Sequence, residues 1–126
     1  MGRKTYDWIT QQCEFPHKDK KTYVITQSLR PNKGTIEFYN GDLPELVNTL
    51  KSQPGKNIYC DGGASIIQQL LKHKLIDEMT ISIIPILLGT GKKLFSESIP
   101  EELLQCASAK SFDTGLVQLH YKRIRR

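Results

Sequence analysis

The spacing of hydrophobic residues along the chain predicts three helices. A helix that packs on a core carries its apolar side chains at intervals of three and four residues. Ile66, Ile67 and Leu70 follow this interval, as do several residues of two earlier segments. The predicted helices cover residues 3–13, a stretch from the cap residue Asp42 to the Pro54-Gly55 pair, and a stretch from the Gly62-Gly63 pair to Leu75.

Shorter segments rich in β-branched and aromatic residues predict the strands. Residues 58–60 are apolar at successive positions, which predicts a central strand covered on both faces. Residues 98–105 are expected to form a short helical turn. The remaining predicted strands are residues 23–26, 35–39 and 79–84, followed by an antiparallel hairpin of residues 107–112 and 116–124 around Asp113-Thr114-Gly115.

The order of these elements predicts an α/β fold. Strand–helix–strand units join parallel neighbours through right-handed crossovers, and the terminal hairpin adds an antiparallel edge. We therefore expect residues 1–126 to form a single domain. Its predicted architecture is a three-layer α-β-α sandwich around a mixed, mostly parallel sheet with a C-terminal antiparallel hairpin.

The composition is that of a soluble globular domain. Of the 126 residues, 38% are hydrophobic and 25% are charged. No apolar run approaches the roughly 20 residues of a membrane span, and the N-terminus lacks the pattern of a signal peptide. The three cysteines are widely spaced, and neither they nor the three histidines have the spacing of metal ligands. We therefore expect a cytoplasmic protein with no membrane partner and no metal, its histidines being solvated.

The net charge of +5 leaves nucleic acid, an anionic ligand and ordinary solubility open as explanations. The basic residues concentrate in residues 18–21 and in residues 122–126. Neither cluster interleaves aromatic residues with Lys or Arg, as single-strand nucleic-acid binders do. Solvated charge is the favoured interpretation, and we expect no nucleic-acid partner.

The glycine pair Gly62-Gly63 lies where a predicted strand meets a predicted helix. A helix start carries unpaired backbone N–H groups at its positive end, and glycine places no side chain in the path of a phosphate. This pair therefore predicts a phosphate-binding segment. A tight turn with no ligand is the alternative interpretation.

Four motifs in order along the chain carry a family resemblance. They are Met1-Gly2-Arg3-Lys4-Thr5-Tyr6, Ile25-Thr26-Gln27-Ser28, the Gly62-Gly63 junction, and the run from Ile76-Asp77-Glu78 through Ile83-Ile84-Pro85-Ile86-Leu87-Leu88-Gly89-Thr90-Gly91 to Leu94-Phe95. Together they resemble the dihydrofolate reductase superfamily. The likeness is greatest to the bacterial branch that includes the C-terminal reductase domain of the bifunctional riboflavin-biosynthesis deaminase/reductase.

The resemblance implies an oxidoreductase that binds NADPH at the C-terminal ends of its parallel strands. Arg3 and Lys4 supply cations suited to phosphate, and a 2′-phosphate favours NADPH over NADH. The alternative to a phosphate-binding role is solvated charge for Arg3 and Lys4 and a turn hydroxyl for Ser28. Carried over by position, the residues that bind phosphates from the first helix are Gly2, Arg3, Lys4 and Thr5. The residue that contacts the 2′-phosphate or ribose is Ser28. The segment around the pyrophosphate is Gly62, Gly63, Ala64, Ser65 and Ile66.

The resemblance also implies a segment upstream of Met1 that supplies a central strand, a loop over the nicotinamide and a helix. We expect a domain shortened at its N-terminus, with no catalytic residue assignable. Asp77 and Glu78 point to opposite faces of a strand, which favours structural ion pairs. The substrate implied is a pterin or an aminopyrimidine ribose phosphate, and the alternative is a nucleotide-binding module without catalysis. A homodimer is the expected assembly.

Overall fold

A computed structural model describes residues 1–125 of the chain. Arg126, the last residue of the predicted domain and of the C-terminal basic cluster, lies outside the described residues. The elements in chain order are α1 (Arg3–Gln12), β1 (Thr22–Ile25), β2 (Ile36–Tyr39), α2 (Leu43–Ser52), α3 (Ala64–Lys72), β3 (Glu78–Ile83), β4 (Leu104–Ser111) and β5 (Val117–Arg123).

The strands confirm the predicted α/β class, with both parallel and antiparallel pairing. β1 and β2 pair in parallel, so that Val24 lies opposite Phe38. β4 and β5 form the predicted antiparallel hairpin, and β5 also pairs with β3. The structure differs from the expected single sheet, because the described strands form a two-stranded sheet and a three-stranded sheet of order β3-β5-β4. Antiparallel pairings therefore outnumber parallel ones among residues 1–125.

The predicted central strand at residues 58–60 is absent from the described sheets. Ile58 and Tyr59 are 50% and 77% exposed, and neither pairs with a neighbouring strand in the part of the chain described. The strand predicted from this apolar pattern is therefore wrong for the described structure. A strand exists only when a second backbone supplies its hydrogen bonds, and here the edge of β3 that could face it is also unpaired.

The prediction of a short helical turn at residues 98–105 is wrong. Leu104 and Gln105 instead begin β4, where they pair with Arg123 and Lys122 of β5. Cross-strand hydrogen bonding with β5 overrides the weak local helical preference of this segment.

Two groups of buried side chains form the core. The first lies between α1 and the parallel strands and contains Tyr6, Phe15, Val24 and Ile36. The second lies between α2 and α3. The three-stranded sheet has at most marginal contact with any helix in the described residues. Its exposed apolar side chains are compatible with the expected homodimer, which stays a prediction.

The three helices begin in two different ways. The carboxylate of Asp42 accepts a hydrogen bond from the backbone N–H of Glu45, which confirms the cap predicted for α2. α1 and α3 instead begin at Gly2 and Gly63, and neither start has a side-chain cap. In residues 1–125, no helix is long and apolar enough to cross a membrane.

Candidate cofactor-binding site

The N-terminal ends of α1 and α3 meet directly. The backbone N–H of Gly2 donates a hydrogen bond of 2.8 Å to the carbonyl oxygen of Gly62. A Cβ atom built on Gly2 would lie 3.2 Å from Cγ1 of Ile66 and 3.7 Å from the backbone nitrogen of Gly63. Glycine at position 2 thus permits the two helix starts to approach each other.

Both helix starts present backbone donors without acceptors. The first hydrogen bonds inside the helices run from Tyr6 N–H to the Gly2 carbonyl and from Ile67 N–H to the Gly63 carbonyl. The N–H groups of residues 3–5 and 64–66 therefore have no acceptor within their helices. Neither first turn contains an acidic residue. Two positive helix ends without caps make this junction suited to an anion such as a pyrophosphate.

The glycine pair keeps the space beside α1 open. A Cβ atom on Gly63 would lie 3.1 Å from the Thr5 hydroxyl, which is tighter than an ordinary contact. Gly62 has a φ of +93°, a conformation that side chains disfavour. Gly62 therefore needs glycine for its backbone conformation, and a side chain at position 63 would crowd Thr5, so the predicted tight turn and the predicted phosphate segment coincide here.

The C-terminal end of β1 lies at the same edge of the molecule. The N–H of Ile25 donates to the carbonyl of Met1 at 2.9 Å, which places the end of β1 beside the start of α1. The hydroxyl of Ser28 lies 3.0 Å from that of Thr26, whose oxygen also accepts the Ser28 N–H. In the described chain Ser28 therefore forms a local turn and does not hydrogen-bond to either helix start.

An arginine that was missed in the sequence links this strand end to α1. Arg30 donates to both carboxylate oxygens of Asp7, at 2.7 and 3.0 Å. Arg3 lies 3.5 Å from the same carboxylate. The hydrogen bond from Arg30 is the main cause that lowers the pKa of Asp7, and the charges of Arg30 and Arg3 add to it. The signal available in the sequence was a basic residue two positions after Ser28.

Replacing Asp7 with Asn is expected to lower the melting temperature at neutral pH and to have little effect in strong acid. The pKa of Asp7 lies below its ordinary value of 3.8 in the folded protein. Such a carboxylate stabilises the fold above its unfolded pKa, and the stabilisation is lost as the pH falls through the folded pKa. Circular dichroism melts between about pH 7 and about pH 2 measure the difference.

The matched control for this prediction is Asp19→Asn, because Asp19 lies in an exposed loop and contacts only Lys20 at 3.5 Å. We expect the control to melt like the wild type at every pH. A melting difference for Asp7→Asn that stays constant from neutral to acid pH would contradict the assigned ion pair.

A second titratable pair borders the glycine segment. The Asp61 carboxylate, 29% exposed, lies 3.6 Å from the Nε2 atom of His17. Asp61 immediately precedes Gly62, so this half-buried carboxylate borders the glycine segment. His17 was expected to be solvated, but the structure gives it a partner, because the loop after α1 folds back onto the glycine segment.

The adjacent carboxylates Asp77 and Glu78 make the predicted structural ion pairs. Asp77 contacts Lys51 at 2.7 Å and also Arg125, and the hydrogen bond from Lys51 is the main cause that lowers its pKa. Glu78 lies 2.9 Å from His120, which corrects the expectation that His120 is only solvated.

The structure gathers nine of the ten predicted binding residues at one junction. They are Gly2, Arg3, Lys4 and Thr5 at the start of α1, and Gly62, Gly63, Ala64, Ser65 and Ile66 at the start of α3. Ser28 is nearby on the same edge but in a separate turn. Contact of any of these residues with a ligand stays a prediction.

Comparison with known proteins identifies the family of this chain. The model of the RibD C-terminal domain matches residues 4–118, which run from the second residue of α1 to the second residue of β5. The chain belongs to the RibD C-terminal domain family. This assignment confirms the family resemblance inferred from the sequence motifs.

Two curated relatives from Bacillus subtilis (strain 168) belong to the same comparison. The uncharacterized protein YwjB is 36% identical over 125 residues, which cover 98% of this chain and 71% of YwjB. The uncharacterized protein YyaP is 37% identical over 132 residues, which cover 95% of this chain and 70% of YyaP.

Solved structures confirm the fold of the RibD C-terminal domain. A protein from Shewanella sp. PV-4, provisionally assigned to riboflavin biosynthesis, superposes with a TM-score of 0.88 at 30% identity, over 99% of this chain and 72% of that one. A pyrimidine reductase-like protein from Corynebacterium diphtheriae gives a TM-score of 0.61 at 22% identity, over 82% of this chain and 50% of that one. The second likeness is one of fold alone.

Proposed function

We propose that this chain is an NADPH-dependent reductase of a pterin or an aminopyrimidine ribose phosphate. The observation that carries the proposal is the contact between two uncapped helix starts, made by the Gly2 N–H and the Gly62 carbonyl. A dinucleotide pyrophosphate matches this junction in charge and in its need for backbone donors. Membership of the RibD C-terminal domain family supports a reductase rather than another nucleotide-binding class.

The residues around the junction supply a site for each phosphate. The free N–H groups at the starts of α1 and α3 would hold the pyrophosphate. Arg3 at the start of α1 and Arg30 after β1, which share the carboxylate of Asp7, would hold the 2′-phosphate together with Ser28. Two guanidinium groups at this position favour NADPH over NADH. When bound, NADPH would supply the hydride for the reduction.

Asp61 is the residue best suited to orient the substrate ring. Its carboxylate accepts hydrogen bonds, and pterins and aminopyrimidines carry ring N–H and amino donors. It immediately precedes the glycine segment, so a ring bound there would lie next to the cofactor. The name of the Shewanella relative, which points to riboflavin biosynthesis, supports the aminopyrimidine ribose phosphate as the first substrate to test. The residue that donates the proton is unassigned.

A nucleotide-binding module without catalysis is the second candidate function. The observation that favours it is the unpaired backbone at residues 58–60 and along the free edge of β3. Residues 58–60 immediately precede Asp61, where the substrate ring would bind. Unpaired backbone at residues 58–60 would leave the cofactor site formed and the substrate site open.

Calorimetric titration followed by an activity assay tests the proposal and separates the two functions. We expect NADPH to bind at least about tenfold more tightly than NADH, since only NADPH has a 2′-phosphate for the arginines. Adding the aminopyrimidine ribose phosphate, or dihydrofolate as the pterin, should cause NADPH oxidation if the chain is a reductase. Tight NADPH binding with no oxidation would favour the module, and equal or absent affinity for both cofactors would refute the site.

A further inference from the structure

The single tryptophan of the chain stands on α1 beside this site. Trp8 is 63% exposed, although Tyr6 and Ile9 on the same helix are packed into the core. Tyr6 is buried in the first core cluster, and Ile9 packs against that cluster. Because successive residues on a helix are separated by about 100°, Trp8 lies on the side of α1 that faces away from this core.

The position of Thr5 locates Trp8 relative to the cofactor site. The Thr5 hydroxyl lies 3.1 Å from where a Cβ atom on Gly63 would be, so this side of α1 faces the glycine segment. Residues three apart are neighbours on a helix surface, and helical side chains lean toward the helix N-terminus. Trp8 therefore lies next to Thr5 on the surface of α1, on a solvent-exposed face that borders the glycine segment.

Trp8 has no aromatic or cationic partner in the described chain. The aromatic pairs of residues 1–125 involve Tyr6, Phe15, Phe38 and His17, and none of the cation–π contacts there involves Trp8. A large exposed indole is uncommon on a protein surface, and tryptophan is enriched where ligands and partners bind. Because Trp8 lies beside the proposed anion-binding junction, its exposed indole could contact a ligand bound there.

We propose that Trp8 is a specificity-determining residue that stacks on the nicotinamide ring of the cofactor. This inference rests on the proposed function. Arg3 and Asp7 point along α1 toward Arg30, which assigns that side to the adenosine end. Trp8 lies beyond Lys4 around the helix, toward the Thr5 side, so the part of the dinucleotide that reaches it is the opposite end. A reduced nicotinamide is planar and uncharged, and an indole face is a good stacking surface for such a ring.

The test compares NADPH with 2′-phospho-adenosine diphosphate ribose, which has the same phosphates and adenosine but no nicotinamide ring. Both ligands are titrated by calorimetry into the wild type and into Trp8→Leu and Trp8→Phe. We expect Trp8→Leu to weaken NADPH about tenfold and to leave the ring-less ligand unchanged. Trp8→Phe should retain most of the NADPH affinity because phenylalanine keeps an aromatic face.

Two further measurements complete the experiment. Phe112→Leu, an aromatic replacement next to the distant hairpin turn, is the matched control and should leave both affinities unchanged. Because Trp8 is the only tryptophan, its fluorescence reports directly on stacking. We expect NADPH to quench this emission strongly and the ring-less ligand to leave it unaltered.

The outcomes separate this inference from the function on which it rests. If Trp8→Leu weakens the binding of both ligands equally, Trp8 only supports the helix. If the affinity for NADPH is unchanged, the nicotinamide ring does not contact Trp8. Either result overturns the inference. Normal wild-type binding of both ligands in those cases would leave the proposed cofactor site intact. Failure of the wild type to bind either ligand would refute the proposed function, and this inference with it.

Discussion

Replacing Gly63 with Val is expected to reduce NADPH affinity by at least about a hundredfold. A Cβ atom at this position already lies 3.1 Å from the Thr5 hydroxyl, and valine adds two methyl groups beyond it. The branched side chain would occupy the space between the two helix starts, where the pyrophosphate is proposed to bind. Calorimetry with NADPH measures the loss.

Two other variants show whether that loss comes from a blocked site. Gly63→Ala adds only the Cβ atom, so a movement of Thr5 by a few tenths of an ångström can accommodate it, and a smaller loss is expected. Ala109→Val adds the same two methyl groups on the exposed strand β4, where a β-branched residue is favourable, and should bind NADPH normally. Thermal melts accompany each titration. Undiminished NADPH affinity in a folded Gly63→Val protein would reject the glycine segment as the phosphate site.

Replacing Arg3 or Arg30 with Ala is expected to weaken NADPH by about 10- to 100-fold and to change NADH affinity little. Both guanidinium groups contact Asp7 of α1, and only NADPH has a 2′-phosphate to place beside them. A charge-assisted hydrogen bond to phosphate is among the stronger polar contacts. Parallel titrations with the two cofactors give the ratio of the two losses.

The matched control for the arginine variants is Lys122→Ala. Lys122 is an exposed cation of β5 that lies 3.7 Å from Glu78, far along the chain from either helix start. We expect it to reduce neither affinity by more than about twofold, since a single distant surface charge is screened by salt. Equal losses of NADPH and NADH in Arg3→Ala would show that Arg3 does not recognise the 2′-phosphate.

Most elements of this fold could be predicted from local patterns. The apolar intervals of α3 and the Asp42–Glu45 cap of α2 depend on residues within one or two turns, and the structure reproduces both. Residues 58–60 show where this approach fails. Their composition indicates a strand, but strand formation depends on a second backbone that no local pattern can supply.

The candidate site was predicted only in part for a related reason. The glycine pair and the Arg3-Lys4-Thr5 start were recognisable, because each is a short motif at a helix end. Arg30 was not among the predicted residues, since its contact with Asp7 spans 23 positions. The pairing of His17 with Asp61 spans 44 positions and could not be predicted from the sequence for the same reason.

The sequence by itself determined the α/β class, the family and the two segments that carry the helix starts, because those properties follow from composition, periodicity and contiguous motifs. Only the tertiary structure decided that the two helix starts touch, that Arg30 contacts α1 through Asp7, and that the described strands divide into two sheets. Each of these depends on contacts between residues far apart in the chain. Such contacts are set by the packing of the whole molecule rather than by the preferences of any one segment.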